Sequence, residues 1–211
     1  MRIYLLLMTI VFGAGQITAQ NDPAAEKLLK DVSQKFESYD NVTVDFVYEL
    51  YNPDAGVKQE TTGKVIFSGN KYRAEYMGIT DIFDGKKRYV IVPENQEVNV
   101  MSVNDDEEVT PAKMFDFYKK GYRFKMDIKQ PVGGRVIRYV KLFPVENNEI
   151  DYVLIGVDTK TKHIYKIIIV QNNKTRITVN IRKFTVNKPV SENLFKFDKS
   201  KYPDYFINEL D

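Results

Sequence analysis

Side chains that could carry out covalent chemistry are scarce in this sequence. It contains one histidine, His163, and no cysteine, which excludes Cys–His nucleophilic sites and most zinc sites. It also has no G-x-S-x-G elbow, no phosphate-binding loop and no G-x-G-x-x-G fingerprint. His163 follows Lys162 at the start of a predicted strand, so we expect it on the surface rather than as a general base. We therefore predict a protein that is not an enzyme and that holds no cofactor.

An acidic run is the only candidate for metal binding. Residues Asn104 to Glu108 read Asn-Asp-Asp-Glu-Glu, but they lack the alternating ligands and the central glycine of a calcium-binding loop. A solvated loop is the favoured interpretation, and we predict no metal site.

Apolar and aromatic side chains, by contrast, are abundant. The chain has 13 Phe and 14 Tyr, and no Trp. Some predicted strands, such as Tyr89–Val92, are apolar on both faces, whereas an antiparallel sheet normally exposes one face to water. These strands therefore need a second covering layer or a cavity. A concave and mostly apolar pocket for acyl chains would require these residue types.

The elements that would position these side chains are mainly β-strands. Alternating apolar and polar residues, interrupted by turn residues, predict about eleven strands joined largely by hairpins. The predicted strands are Val42–Leu50, Gly63–Ser68, Lys71–Met77, Ile79–Phe83, Lys86–Val92, Glu97–Met101, Tyr122–Ile128, Arg135–Phe143, Asp151–Asp158, His163–Val170 and Lys174–Val186. Asp84-Gly85 is interpreted as a two-residue hairpin turn. The fold class is therefore mainly β, an up-and-down antiparallel sheet that curls towards a barrel.

Two helices are predicted in addition. Asp22 as N-cap and Pro23 at the first position begin an amphipathic helix that runs to about Tyr39. Thr110-Pro111 begins a short second helix that ends near Gly121 and carries four large apolar side chains. These are Met114, Phe115, Phe117 and Tyr118. The second helix is either a plug at the open end of the sheet or a movable lid, and the residues leave both interpretations open.

The N-terminal residues and the net charge of the chain restrict the class of protein to which it can belong. Residues 1–20 have a basic start at Arg2, an apolar run and a small-residue exit, which is typical of a secretory signal peptide cleaved near Gln20. A membrane-anchored N-terminus is the alternative. Residues 21–211 then form one exported domain without disulfides. The formal net charge is +2 with both signs interspersed, so no nucleic-acid partner is expected, and we predict a monomer.

Several motifs, in this order and spacing, make the chain resemble the periplasmic outer-membrane lipoprotein carrier family, the LolA-like proteins. The motifs are Val32–Phe36, Val44–Phe46, Gly63–Phe67, Asn70–Arg73, Phe83–Lys86, Thr110-Pro111, Asn193–Phe197 and Tyr202-Pro203. The resemblance implies an unclosed β-barrel with α-helices covering its concave face and acyl chains of lipoproteins held inside. It also implies a periplasmic location and transfer from an inner-membrane ABC transporter to an outer-membrane acceptor. The same fold serves lipid sensors and other lipid-binding modules, and a structural domain with a filled core is a further alternative.

The candidate lipid-binding residues follow from the predicted faces of the strands and the first helix. They are Phe36, Phe46, Tyr48, Leu50, Phe67, Tyr72, Tyr76 and Phe124, with Met114, Phe115, Phe117 and Tyr118 as the lid. Well-studied relatives carry an Arg-Pro pair in the turn after the Gly63–Phe67 strand, and its arginine is thought to latch the lid. Here that turn reads Ser68-Gly69-Asn70. Arg73 is the candidate latch in its place, and closure through apolar contacts alone is the alternative.

Overall fold

A computed structural model describes residues 21–103, 118, 121–146 and 149–210. Within them one α-helix, α1, spans Pro23–Glu37. Twelve strands follow, and eleven of them overlap predicted segments, although the second begins at Val57 rather than Gly63 and the seventh ends at Val132 rather than Ile128. They are β1 Asn41–Asn52, β2 Val57–Ser68, β3 Lys71–Tyr76, β4 Ile79–Phe83, β5 Lys87–Val92, β6 Glu97–Ser102, β7 Tyr122–Val132, β8 Arg135–Pro144, β9 Ile150–Asp158, β10 Ile164–Gln171, β11 Arg176–Val186 and β12 Phe206–Leu210.

All twelve strands form a single sheet in the order β12-β6-β5-β4-β3-β2-β1-β11-β10-β9-β8-β7. Two hairpin meanders, β1–β6 and β7–β11, are joined where β1 pairs antiparallel with β11, for example Val42 with Val186 and Leu50 with Ile177. β7 and β12 are the two edges, so the sheet does not close on itself. The predicted unclosed, mainly antiparallel β fold is confirmed. The twelfth strand was missed, and it pairs parallel to β6.

The N-terminus of α1 is fixed to the edge strand β7. The Asp22 carboxylate accepts hydrogen bonds from the amides of Ala24 at 2.8 Å and Met126 at 3.0 Å. Asn21 Oδ1 accepts from the amide of Phe124 at 2.9 Å. These amide donors, Met126 first, lower the pKa of the Asp22 carboxyl. The cap therefore both starts the helix and covers part of an otherwise open sheet edge.

The face of the sheet that α1 covers is called the helix face, and the opposite one the outer face. On the outer face, the chain after β11 covers β4–β6: Phe197, Tyr202 and Tyr205 pack against Ile82, Ile91, Val98 and Val100. Phe197 stacks between Tyr89 and Tyr202, with ring centroids 4.9 Å and 5.5 Å apart. The outer face of these strands is therefore covered by the C-terminal part of the chain. No helix in the described part of the chain is long and apolar enough to cross a membrane.

The turn between β4 and β5 differs from the prediction. Only Gly85 has a positive φ, +99°, and the two residues between the paired Asp84 and Lys87 are Gly85 and Lys86. The Asp84 carboxylate accepts from the amides of Lys86 and Lys87, each at 2.8 Å. Asp84 is thus the flanking residue that stabilises the turn with its side chain, and the prediction of Asp84-Gly85 as its two central residues was wrong.

Candidate functional site

The helix face carries a nearly continuous apolar layer. Under the first turns of α1, the side chains of Leu28, Leu29 and Val32 pack against a buried cluster on β7–β9 that includes Phe124, Val140, Leu142, Val153 and Ile155. Under its last turn, Phe36 packs edge-on against Phe67 with ring centroids 5.3 Å apart. Val42, Val44, Tyr72 and Phe83 complete this second cluster. The helix therefore fills the middle of the face.

Beyond the helix, the same face continues onto apolar side chains that are only half-buried. The register pairs Phe46 with Gly63 and Ile181, Tyr48 with Val179, and Leu50 with Ile177, so all point to the helix face. Phe46, Tyr48, Leu50, Ile177 and Val179, here called the far-end surface, have intermediate exposure. They belong to none of the packed clusters of the described residues. This arrangement can hold an apolar ligand as an extension of the core.

An open groove of about 590 Å³ adjoins the far-end surface beside the turn between β3 and β4. Phe46, Gly63, Tyr76 and Ile79 contribute helix-face residues to its lining, and Asp45, Lys64, Glu75 and Arg182 contribute charged ones. The ring of Phe46 lies across Gly63, where an added Cβ would stand 2.3 Å from Phe46 Cζ. The missing side chain at position 63 is what lets this aromatic ring lie flat on the sheet.

A buried carboxylate interrupts the apolar layer. Asp81 is 4% exposed. Its carboxylate accepts hydrogen bonds from Arg88 Nη2 at 2.6 Å and Nε at 3.0 Å, and from the Tyr72 hydroxyl at 3.2 Å. Burial and the nearby Asp81 charge raise the pKa of the Tyr72 phenol, so it remains a donor. The hydrogen bonds to Asp81 raise the pKa of Arg88. Nothing in our sequence analysis indicated this cluster.

The predicted lipid-binding residues divide into two groups. Phe36 on α1 is buried together with Phe67, Tyr72 and Phe124 on the strands beneath the helix, and all four belong to the packed core. Phe46, Tyr48, Leu50 and Tyr76 are half-buried on the same face, and Phe46 and Tyr76 line the groove. All except Phe36 are strand residues whose register places them on one face. Their role in binding stays a prediction.

Most of the predicted lid, Met114, Phe115 and Phe117, lies outside the described residues, as do the acidic run and residues 1–20. Tyr118 is described: it is 3% exposed, and its ring meets Phe124 edge-on at 5.6 Å. This residue thus touches the cluster beneath the first turns of α1.

Two charged or polar residues lie where the sequence analysis did not expect them. Arg73 pairs with Ile66 and Ile82 on the outer face, and its Nε donates to Glu75 at 2.9 Å. Because Tyr72 points to the helix face, the next residue must point away from it, which corrects the placement of Arg73 as a latch there. His163 is half-buried, with its ring stacked on Phe184 at 4.0 Å and its Nε2 2.9 Å from the Tyr39 hydroxyl.

Comparison with known proteins gives one family match. Over residues 37–198 the sequence matches the family described as outer membrane lipoprotein carrier protein LolA. No curated protein matches it. An uncharacterized conserved protein from Thermus thermophilus is 8% identical, with a TM-score of 0.62 over 89% of this chain and 99% of that one, and therefore shares the fold. A LolA superfamily protein from Nitrosomonas europaea is 11% identical, with a TM-score of 0.45 over 82% and 97%. The lipoprotein LppX from Mycobacterium tuberculosis is 10% identical, with a TM-score of 0.45 over 81% and 99%.

Proposed function

Because the chain belongs to the outer membrane lipoprotein carrier protein LolA family, we propose that it is a periplasmic, non-enzymatic carrier of lipoproteins. It binds their acyl chains on the helix face of the sheet and carries them from an inner-membrane ABC transporter to an outer-membrane acceptor. Residues 1–20 direct its export, and the mature protein acts as a monomer.

The far-end surface is the observation that carries this proposal. Phe46, Tyr48 and Leu50 on β1 continue the core onto half-exposed sheet together with Ile177 and Val179 on β11. A row of apolar side chains along paired strands is matched by an extended hydrocarbon chain, which needs no hydrogen-bond partners along its length. The groove beside Tyr76 and Ile79 gives the row a concave end.

The energetics favour transfer from one site to another over release into water. Each buried CH₂ group contributes about 0.8 kcal/mol, so a chain of about sixteen carbons represents about 13 kcal/mol of gross transfer free energy. A carrier therefore has to pass the chain directly to another apolar site. The predicted lid residues Met114 and Phe115 compete with cargo for the apolar face, which weakens net binding and permits unloading to a more apolar acceptor.

A pair of neighbouring substitutions on β1 tests the proposal. Leu50 points to the helix face, whereas Tyr51 points to the outer face and is 45% exposed. Leu50→Lys places an ammonium group where hydrocarbon would lie, and Tyr51→Lys introduces the same charge one residue away on the other face. We expect Leu50→Lys to weaken binding of a fluorescent C16 fatty acid and of a triacylated lipopeptide by about tenfold or more, since a buried charge without a partner is costly.

The same assay distinguishes the carrier from other functions. A stoichiometric soluble complex with a mature triacylated lipoprotein supports carriage. Binding of free fatty acid without any lipoprotein complex identifies a lipid-binding module or sensor instead. Equal binding by both variants refutes the assignment of the helix face as the lipid site.

A further inference from the structure

The outer face of β7–β11 is strongly basic. Val140, Leu142, Val153 and Ile155 point towards α1, so the residues between them point outwards. Five of the outward basic residues of these strands are here called the basic face: Arg123, Lys125, Lys141, Lys166 and Arg176. The outward acidic residues on these five strands include Asp127, which follows the inward Met126 and is half-buried. Asp158 is another; it is 4% exposed and accepts hydrogen bonds from the amides of Lys160 and Thr161 in its own turn.

Two lysines stand directly opposite each other on this face. Lys125 pairs with Lys141 across β7 and β8, an arrangement of like charges that destabilises a sheet. Aromatic rings hold both ammonium groups: Lys141 Nζ lies 3.7 Å from the Tyr152 ring centroid and 5.2 Å from that of Phe143, and Lys125 Nζ lies 5.4 Å from the latter. The two positive charges are thus kept close together at the surface, where an anion would relieve their repulsion.

Apolar side chains fill the area among these cations. Phe143, Tyr152, Leu154, Ile168 and Val170 point outwards and are half-exposed. The outer face of β4–β6, in contrast, is covered by Phe197, Tyr202 and Tyr205. The outer face of β7–β11 has no aromatic cluster of this kind in the described residues, although the outward Ile137 and Tyr139 of β8 are themselves buried. The result is a broad sheet surface, apolar and aromatic in its middle and basic around it.

We propose that the basic face docks the protein on a bilayer that contains anionic phospholipid. Lysine and arginine side chains reach phosphate groups at the surface, while tyrosine, phenylalanine and aliphatic side chains enter the boundary between headgroups and acyl chains. The apolar middle favours a bilayer over an acidic protein. Because the basic face and the far-end surface lie on opposite faces of the sheet, docking leaves the lipid site free. This inference goes beyond the proposed carriage of lipoproteins.

Vesicle sedimentation tests the inference with the mature protein. We expect binding to vesicles of phosphatidylglycerol and phosphatidylethanolamine, little binding to phosphatidylcholine alone, and loss of binding at high salt because exposed charges are screened. The test variant is Lys125→Glu/Lys141→Glu. Each basic side chain near an anionic surface raises affinity about fivefold, so this variant should bind such vesicles about 25-fold more weakly or worse. Lys27→Glu/Lys30→Glu, which makes the same charge change on the exposed side of α1, should bind much more tightly than the test variant.

The outcomes separate this inference from the proposed function. Circular dichroism should show both double variants folded, and both should bind the C16 fatty acid like the wild type. Docking by this face is refuted if the wild type does not bind anionic vesicles. It is also refuted if Lys125→Glu/Lys141→Glu and Lys27→Glu/Lys30→Glu lose vesicle binding equally. If poly-glutamate binds through Lys125 and Lys141 while the vesicles do not, the face serves an acidic protein and the bilayer proposal is overturned. Lys125→Arg/Lys141→Arg should retain binding.

Discussion

Arg88 should matter for stability chiefly because it neutralises Asp81. The Arg88→Met variant removes the guanidinium at 2.6 Å from Asp81 Oδ2 and leaves a carboxylate that is 4% exposed without its cation. Removing one partner of a buried ion pair costs about 3–5 kcal/mol. The Arg88 side chain is 38% exposed, so water can reach the site, and we expect a cost of about 3 kcal/mol, at the lower end of that range. For a chain of this size the loss corresponds to a fall of about 6–12 °C in Tm.

Two further variants make the reasoning refutable. Tyr72→Phe removes one hydrogen bond at 3.2 Å from the same carboxylate and should cost about 1 kcal/mol. Asp81→Leu/Arg88→Met removes both charges and should recover most of the loss, since an apolar pair can replace a buried ion pair at little cost. Urea unfolding followed by circular dichroism measures all three variants. If the double variant is as unstable as Arg88→Met or less stable, the uncompensated carboxylate is not the cause of the loss.

Three other predictions follow from single side chains. Burial, and secondarily the charge of Lys35, lower the pKa of His163 below its ordinary 6.5, so the unfolded chain binds a proton at a higher pH than the folded protein does. Tm should therefore fall as the pH drops below about 6.5, and it should fall less in His163→Gln. An equal fall of Tm in the wild type and in His163→Gln contradicts this prediction. Gly63→Ala should cost about 1–3 kcal/mol by chemical denaturation because its Cβ meets the Phe46 ring, and Phe46→Ala should relieve the strain; no relief would show that the clash is elsewhere. If the predicted second helix is a plug, Phe115→Ala should cost about 3–5 kcal/mol of stability. If the helix is a lid, the loss of stability should be smaller and the change in the rate of lipoprotein transfer larger. A large loss of stability with an unchanged transfer rate excludes the lid.

The alternation of apolar and polar residues was sufficient to predict the strands whose two faces differ in polarity. Lys71–Tyr76 alternates between apolar and charged residues, and β3 covers these residues, one fewer than the predicted Lys71–Met77. β12 carried no comparable signal: Phe206–Leu210 is five residues long, its two ends are exposed, and it pairs parallel with a strand more than a hundred residues earlier. The pairing of β1 with β11 is equally remote in sequence. The local sequence pattern identified β1 and β11 and missed β12, and it contained no information about which strands pair with one another.

The candidate lipid site, like the fold, was predictable only in part from the sequence. Period-2 alternation placed Phe46, Tyr48 and Leu50 on one face, and the register agrees. It should also have turned Arg73 away from that face, because Tyr72 was assigned to it. Asp81 was overlooked inside an apolar strand because its partner Arg88 is seven residues away, across a hairpin. Only the register, which sets Phe83 opposite Arg88 and Asp81 opposite Val90, brings the two charges together.

The seam between β1 and β11 also determines when the molecule can finish folding. β1 leaves the ribosome early and β11 late, so the central pairing of the sheet cannot form until almost all of the chain has been made. Closing so long a loop before its contacts form slows folding. During that delay one edge of β1 has no pairing partner, a state prone to aggregation. We expect a chain with this topology to stay open to threading through a narrow pore until its last strands have been made.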